Sequence, residues 1–210
     1  MEEKTESIKK WLGTGSINVF GLPMSGKDTV GVRLAELLGG KFLSSGMIIR
    51  QVEMERNEKI TANGQLAPTD LFYDVVLPYF EREDLRQNSL ILSSVGRWSG
   101  EEDRVMEKAE QSGHPIKAAI ILNLSEQDVL DRWQVARMLN DRGGRADDKE
   151  LEVFKTRIQE FKEKTLPVIV HYQKLGLLVP VRADLDRASV LGEVVENLYQ
   201  FAKNSSRASA

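Results

Sequence analysis

A short stretch near the amino terminus, GLPMSGKDT, most restricts what this chain can fold into. It places Gly21 five residues before Gly26, and Lys27 follows directly. The preceding run SINVF (16–20) is short and largely apolar, as buried strands are, and the run from Lys27 onward has helical spacing. A glycine-rich turn between a strand and a helix presents backbone N–H groups at a helix N-terminus, a geometry that binds phosphate. The stretch therefore predicts a phosphate-binding loop in a strand–loop–helix unit.

The rest of the chain alternates short apolar runs with longer amphipathic ones. Four further runs have strand character: KFLSS, NSLILSS, IKAAIILNL and LLVPV. Helical patterns separate them, and Ser125 is expected to cap the helix after the fourth strand. Such alternation predicts an α/β fold, a three-layer sandwich in which helices cover both faces of a five-stranded parallel sheet.

Some element boundaries are also predicted from single residues. Thr69 or Asp70 is expected to cap a helix that runs to about Phe80. Pro167 is expected to kink a long helix or to begin a second segment of it. Residues 1–14 are predicted to form a charged amphipathic extension, 15–203 the core, and 204–210 a disordered tail.

Charge and composition exclude several classes of protein. The chain has 210 residues and a formal net charge of -3, with no basic stripe of the kind that binds nucleic acid. No apolar run approaches the roughly 18 residues that a membrane span requires. There is no cysteine, and the two histidines, His114 and His171, lie too far apart in sequence to suggest a metal site or a catalytic triad. We expect a cytoplasmic monomer without nucleic-acid or membrane partners.

Individual residues of the loop suggest roles toward a triphosphate. Lys27 is expected to reach the β and γ phosphates, and a hydroxyl of Thr29, or of Ser25, to lie near Mg²⁺. Asp28 has two interpretations. It is either an acid that stabilises the first turn of a helix, or a group that contacts Mg²⁺ through water.

Arginines occur at points that a parallel sheet brings together. Arg50 follows the second predicted strand and Arg97 follows the third, and carboxyl ends of neighbouring parallel strands face one crevice. Arg142 and Arg145 lie in a glycine-rich loop that could close over that crevice. Phosphoryl transfer needs positioning and neutralisation of charge, which lysine, arginine and Mg²⁺ supply. The pattern therefore predicts a kinase of a small phosphorylated acceptor.

These motifs resemble the adenylate kinase and nucleoside monophosphate kinase family over nearly the whole chain. The resemblance is carried by GLPMSGKDT, SSGMIIR, GQLAPTD, SSVGRWSG, and GRADD followed by KTRIQEFKEKTLPVIVHYQKLGLL. It implies a P-loop fold with an insertion that binds the nucleoside monophosphate (NMP), at about 44–71, and a short lid over ATP, at about 137–148. It also implies ATP as the phosphoryl donor, an NMP as the acceptor and Mg²⁺ as the cofactor.

The resemblance implies a role for each matching residue. Lys27 binds donor phosphates, Arg50 and Arg97 hold the acceptor's phosphate, and Arg157 neutralises the transferred group together with Arg145, with Arg142 as a helper. The donor side comprises Pro23, Met24, Ser25, Gly26, Lys27, Asp28, Thr29 and, stacked on the adenine, Arg137. The acceptor side comprises Ser45, Gly46, Arg50, Leu66, Gly96, Arg97 and Glu101.

Departures from the family pattern concern the metal and the base. The family has glycine at the positions of Met24 and Asp28, and an aspartate that assists Mg²⁺ through water at the position of Ser93. Glu101 stands where the family has a glutamine that reads adenine. An ionised glutamate only accepts hydrogen bonds, which suits the amino group of cytosine or the N–H groups of guanine better than N1 of adenine.

Three functions remain open at this point. The first is an NMP kinase, with AMP as the first guess and CMP, UMP, GMP or a deoxynucleotide as alternatives. The second is a nucleotide-binding module with weakened catalysis, suggested by Ser93. The third is a P-loop kinase of another small acceptor, since a fold alone does not define a substrate.

Overall fold

Five short strands form one parallel sheet, as the sequence predicts. The computed structural model describes residues 1–61, 63–139 and 150–208. The strands are β1 Ser16–Gly21, β2 Lys41–Ser44, β3 Leu90–Ser93, β4 Ile116–Asn123 and β5 Leu178–Arg182. Their order across the sheet is β2-β3-β1-β4-β5. The predicted α/β three-layer architecture is confirmed.

The phosphate loop follows the central strand. Within β1, Ile17 pairs with Ile91 of β3 on one side and with Ala118 of β4 on the other. All six residues of β1 are buried. A strand that is buried on both faces reads as a continuous run rather than an alternating one, which is why SINVF was recognisable.

Helices cover both faces of the sheet. They are α1 Glu2–Leu12, α2 Lys27–Leu38, α3 Ser45–Arg56, α4 Thr69–Val75, α5 Glu101–Gln111, α6 Glu126–Met138, α7 Leu151–Glu160, α8 Leu166–Lys174 and α9 Arg187–Ala208. Alternate residues of β1 enter different cores: Ile17 and Val19 join one cluster, and Phe20 joins the other. Each face of the sheet therefore has its own apolar core.

Several predicted boundaries change. Thr69 is the first residue of α4 rather than its cap, which is Pro68, and α4 ends at Val75. A 3₁₀ segment, Leu77–Glu81, continues the path because Pro78 cannot donate the backbone hydrogen bond that an α-helix needs. Pro167 lies near the start of a second segment, α8, which a π-helical turn, Phe161–Thr165, joins to α7.

Both ends of the described chain are helical. Ile8 and Leu12 of α1 are buried in the core that also holds Val194 and Leu198 of α9. α9 continues to Ala208, so the expectation of a disordered tail beginning at 204 was wrong for 204–208. Ser125 caps α6 in a reciprocal capping box with Asp128, which confirms that prediction. Within the described residues, no helix combines the length and the apolarity that crossing a membrane requires.

Candidate active site

A pocket opens where β1, β2 and β3 end. It holds about 830 Å³ of empty space, part of it open to solvent. Its lining comes from the phosphate loop, α3, the 61–67 loop, the end of β3 and the α7–α8 junction. Among the residues singled out from the sequence, the lining includes Pro23, Lys27, Asp28, Gly46, Arg50, Leu66, Arg97 and Arg157. The sheet thus brings together residues that lie more than 100 positions apart.

The phosphate loop has two residues with left-handed backbone. Gly26, with φ 88°, precedes α2, and Met24 has φ 64°. At position 21 only glycine fits without a shift, because a Cβ there would lie 2.5 Å from the Ser25 hydroxyl oxygen. Ser25 is 3% exposed, and its hydroxyl has no hydrogen-bond partner among the residues that the structure describes. A buried hydroxyl without a partner is costly, which suits a loop that completes its hydrogen bonds with a ligand.

Asp28 and Ser93 meet across the pocket. The Ser93 hydroxyl donates a hydrogen bond to Asp28 Oδ1 at 2.5 Å, joining the first turn of α2 to the end of β3. Thr29, which we expected near the metal, is exposed and does not line the pocket. Within the described residues, no group of three or more carboxylate, histidine or cysteine side chains could form a metal cage. Among the described residues that line the pocket, Asp28 is the one carboxylate that could offer oxygen ligands to a cation.

Arg50 and Arg97 converge beside Gly46. A Cβ at position 46 would lie 3.1 Å from Arg50 Nη1 and 3.5 Å from Arg97 Nη2. Arg157, from α7, lines the same pocket. Three guanidinium groups and Lys27 around one pocket provide a strong field for polyanions.

Hydrogen bonds within the protein fix the turn that carries Arg97. Asn18 of β1 donates to the Val95 carbonyl at 2.7 Å and accepts from the Val95 N–H at 3.2 Å. The Ser45 hydroxyl donates to the Ser94 carbonyl at 2.6 Å. The turn after β3 is therefore tied both to the central strand and to the start of α3, which carries Arg50.

Glu101 is buried and already bonded to the protein. It is 2% exposed. Its Oε2 accepts from the backbone N–H groups of Arg97 at 2.8 Å and Trp98 at 3.0 Å. Its Oε1 accepts from the Thr69 hydroxyl at 2.8 Å. Glu101 lines a second, smaller recess with Ser45, Leu66 and Gly96, so it lies beside predicted acceptor residues while it also holds the turn together.

The 61–67 loop is attached to the α7–α8 region. Glu160 Oε2 accepts from the Leu66 N–H at 3.0 Å, and Lys164 binds the same carboxylate. The Trp98 indole N–H donates to the Ala67 carbonyl at 3.0 Å, and Lys164 Nζ lies 3.8 Å from the centre of the Trp98 ring. The sequence did not indicate these connections because they join three separate segments.

An arginine that the sequence interpretation missed lies against the phosphate loop. Arg132 of α6 donates to the Met24 and Ser25 carbonyls, both at 3.4 Å, and to the Ala183 carbonyl at 2.5 Å. Arg137, which we had expected on the donor side, lies with its guanidinium carbon 5.0 Å from the centre of the Trp133 ring. Arg142 and Arg145 lie outside the described residues, as do Asp147 and Asp148. Neither histidine lines the pocket.

Known proteins resemble this chain in sequence and fold. An adenylate kinase from Thermosipho africanus is 28% identical over 206 aligned positions, covering 84% of this chain and 95% of that protein. A UMP-CMP kinase from Lentinula edodes is 30% identical over 184 positions, covering 79% of this chain and 77% of that protein. A gluconokinase from Sinorhizobium meliloti 1021 superposes with a TM-score of 0.62 at 20% identity, covering 94% of this chain and 98% of that one. No protein-family model matches the chain.

These likenesses define the class of the protein. The parallel sheet, the phosphate loop and the gluconokinase neighbour identify a P-loop kinase fold. The sequence relatives define the family within this class of kinases, because their similarity extends over most of both chains. The chain belongs to the adenylate kinase and nucleoside monophosphate kinase family.

Proposed function

We propose that this protein is an ATP-dependent nucleoside monophosphate kinase, similar to adenylate kinase, with AMP as the first candidate acceptor. One observation carries the proposal. Arg50 and Arg97 converge beside Gly46, and the same pocket contains Lys27 of the phosphate loop. A loop for one phosphate group and a separate pair of arginines for another suit two anionic substrates held side by side.

In the proposed reaction an oxygen of the NMP phosphate attacks the γ phosphorus of ATP. The bond from that phosphorus to the β–γ bridging oxygen breaks, and ADP leaves with its electron pair. The products are ADP and a nucleoside diphosphate. Total charge is conserved and no proton has to be removed, so the protein needs to position and neutralise rather than to supply a base. Arg157, which lines the pocket from α7, is suited to neutralise charge on the transferred group.

On the donor side, the loop from Pro23 to Thr29 would surround the phosphates and Lys27 would contact them. We add Arg132 to this set, because it bonds to two carbonyls of the loop, whereas Arg137 contacts Trp133. Mg²⁺, when bound, would neutralise the charge that develops on the phosphates, and Asp28 is the lining carboxylate that would help to hold it. The segment at about 137–148 is proposed to act as a lid carrying Arg142 and Arg145.

On the acceptor side, the segment at about 44–71 would hold the NMP, with Arg50 and Arg97 on its phosphate. Glu101 would face the base. Because its carboxylate only accepts hydrogen bonds, a base with amino or N–H groups suits it. CMP, UMP, GMP and deoxynucleotides therefore stay in the acceptor screen beside AMP.

The test is a coupled assay of ADP formation with MgATP and each nucleoside monophosphate. Turnover with at least one of them is expected, and Lys27→Met and Arg97→Ala should each abolish it. Matched controls are Lys155→Met and Arg33→Ala, which change exposed residues that pair with Glu152 and Glu36. Absence of turnover with every acceptor would refute the proposal, and tight ATP binding in that case would be consistent with a nucleotide-binding module or with a P-loop kinase of another small acceptor.

Wild-type rates from Lys27→Met or Arg97→Ala would refute the roles assigned to these two residues. Unfolding temperatures of all four variants should be compared with that of the wild type. A loss of activity is attributed to the substituted side chain only in a variant whose unfolding temperature matches that of the wild type.

A further inference from the structure

We propose that the Asp28 carboxylate, oriented by Ser93, is a ligand of the divalent cation that accompanies the donor nucleotide. This inference rests on the proposed use of ATP, but not on which acceptor is phosphorylated. It assigns to Asp28 a role that P-loops ordinarily give to a neutral hydroxyl.

The first step concerns position within the loop. In the general pattern Gly-x-x-x-x-Gly-Lys-Ser/Thr, the residue directly after the lysine supplies the oxygen that binds Mg²⁺, whereas the family that this chain resembles has glycine there and no side-chain oxygen. That residue here is Asp28. Thr29 lies about 100° further around α2, since an α-helix has about 3.6 residues per turn. It is exposed and does not line the pocket, whereas Asp28 does.

The second step concerns the orientation of the carboxylate. The Ser93 hydroxyl at the end of β3 donates to Asp28 Oδ1 at 2.5 Å. Ser93 is 2% exposed and lies on a fully buried strand, so its position is well fixed. The hydrogen bond from Ser93 uses one of about four acceptor positions on a carboxylate, so it does not by itself prevent binding of a hard cation. Groups that bond to a metal ligand in this way hold it in the geometry that the metal requires.

The third step concerns charge. Lys27, Arg50, Arg97 and Arg157 line the pocket, and among its described lining residues Asp28 is the one carboxylate. A carboxylate beside a polyphosphate is repelled unless a cation lies between them. The helix dipole favours an acid in the first turn of α2 through a field that weakens with distance, and it does not by itself select the contact with Ser93.

The test measures ATP affinity by calorimetry, once with excess Mg²⁺ and once with EDTA, without an acceptor. In the wild type, Mg²⁺ should increase the affinity for ATP. In Asp28→Asn that increase should fall by about tenfold or more, because a charged ligand is lost. Affinity in EDTA should be equal to the wild type or higher, because a repulsive carboxylate has been removed.

Two further variants separate charge from position. Asp28→Ser provides the neutral hydroxyl oxygen of the ordinary motif. Its increase in ATP affinity on adding Mg²⁺ (the Mg²⁺ effect) should be larger than that of Asp28→Asn and smaller than that of the wild type. Ser93→Ala keeps the carboxylate but removes its hydrogen bond, and should show a smaller loss than Asp28→Asn. The matched control is Glu36→Gln, which removes a negative charge from the same helix at an exposed position and should leave the Mg²⁺ effect unchanged.

An unchanged Mg²⁺ effect in Asp28→Asn would overturn the proposal, as would an equal loss in Glu36→Gln or a wild type without any Mg²⁺ effect. A different result separates this proposal from the proposed function. If Asp28→Asn loses the Mg²⁺ effect but the wild type phosphorylates no nucleoside monophosphate, the cation ligand stands and the acceptor assignment fails.

Discussion

The hydroxyl of Thr69 donates a hydrogen bond to Glu101 Oε1 at 2.8 Å, which joins the first residue of α4 to the first residue of α5. The other carboxylate oxygen accepts two backbone N–H groups, from Arg97 and Trp98. Glu101 therefore has a structural role at the place where the proposed base recognition occurs. The two roles can be separated by substitution.

Glu101→Gln should change acceptor preference with little loss of stability. The amide oxygen can accept both backbone N–H groups, and the amide NH₂ can donate to Thr69, whose hydroxyl also accepts. The ratio of kcat/KM for AMP to that for CMP or GMP should rise about tenfold, which corresponds to about 1.4 kcal/mol.

Glu101→Ala is the comparison for that prediction. It leaves two backbone N–H groups without a partner and should lower the free energy of unfolding by about 2 kcal/mol or more. An unchanged acceptor ratio in a stably folded Glu101→Gln would mean that the residue only holds the turn.

Gly46→Ala should weaken acceptor binding selectively. The new Cβ would lie 3.1 Å from Arg50 Nη1, so the Arg50 guanidinium has to move by a few tenths of an ångström, whereas the 3.5 Å to Arg97 Nη2 is an ordinary contact. KM for the acceptor should rise about threefold to tenfold, while ATP affinity stays the same and the helix is not weakened. Gly192→Ala in α9 is the control, because a Cβ there meets nothing within 4 Å. Equal effects at the two positions would contradict this account of the arginine pair.

Arg132 and Arg137 should differ in their effect on ATP binding. Arg132 holds the loop carbonyls of Met24 and Ser25, so Arg132→Ala should raise the Kd for ATP about tenfold, or about 1.4 kcal/mol. Arg137 contacts Trp133, and Arg137→Ala should change that Kd by less than about twofold, as expected for loss of an exposed cation–π contact. Calorimetric titration of both variants with ATP measures the two Kd values. A larger rise in Kd for Arg137→Ala than for Arg132→Ala would return the donor-side role to Arg137.

Met24 should store backbone strain in the phosphate loop. Its φ of 64° costs roughly 1–2 kcal/mol in a residue with a side chain and almost nothing in glycine. Met24→Gly and Met24→Ala both lose the contact with the cluster around Val129 and Trp133, so their difference isolates the backbone. In urea unfolding, the free energy of unfolding of Met24→Gly should exceed that of Met24→Ala by about 1 kcal/mol. Equal stabilities would show that the loop relaxes around the alanine.

The sequence indicated the sheet and its pocket because both follow from local patterns. Five continuous apolar runs identified the strands, and the meeting of Arg50 and Arg97 followed from their places after β2 and β3. The helix cap at Ser125 could also be predicted, since it depends on two residues that are three positions apart in the sequence.

What could not be predicted depends on contacts between distant segments. The attachment of Arg132 to the loop joins positions more than 100 residues apart, and no pattern within α6 distinguishes it from Arg137. The hydrogen bonds of Glu101 to Thr69 and of Glu160 to Leu66 are of the same kind. The end of α4 was missed because Pro78 changed the backbone hydrogen bonding within an otherwise helical pattern.

The capping box of α6 should make stability depend on acid pH. Hydrogen bonds from the Ser125 hydroxyl and then from its backbone N–H lower the pKa of Asp128. A pKa lower in the folded state than in the unfolded chain gives stability that is present above the unfolded value of about 3.9 and is lost as the pH falls through the folded value. Asp128→Asn should therefore be less stable than the wild type at pH 7, and the difference should shrink below about pH 4. Thermal unfolding across pH 2.5–7 measures this, and a gap that does not vary with pH would contradict it.

The Leu66 N–H donates a hydrogen bond to Glu160, which lies on α7 together with Arg157. One helix therefore contacts the 61–67 loop and also supplies an arginine to the pocket. A ligand that repositions α7 through Arg157 would then change the free energy of this loop, whose Gly64 lies directly against Arg157 and Val153. Thermodynamic linkage makes such a coupling reciprocal, so each substrate would alter the other's affinity by the same factor. In the proposed kinase, this attachment would couple the binding of the two substrates before any phosphoryl group is transferred.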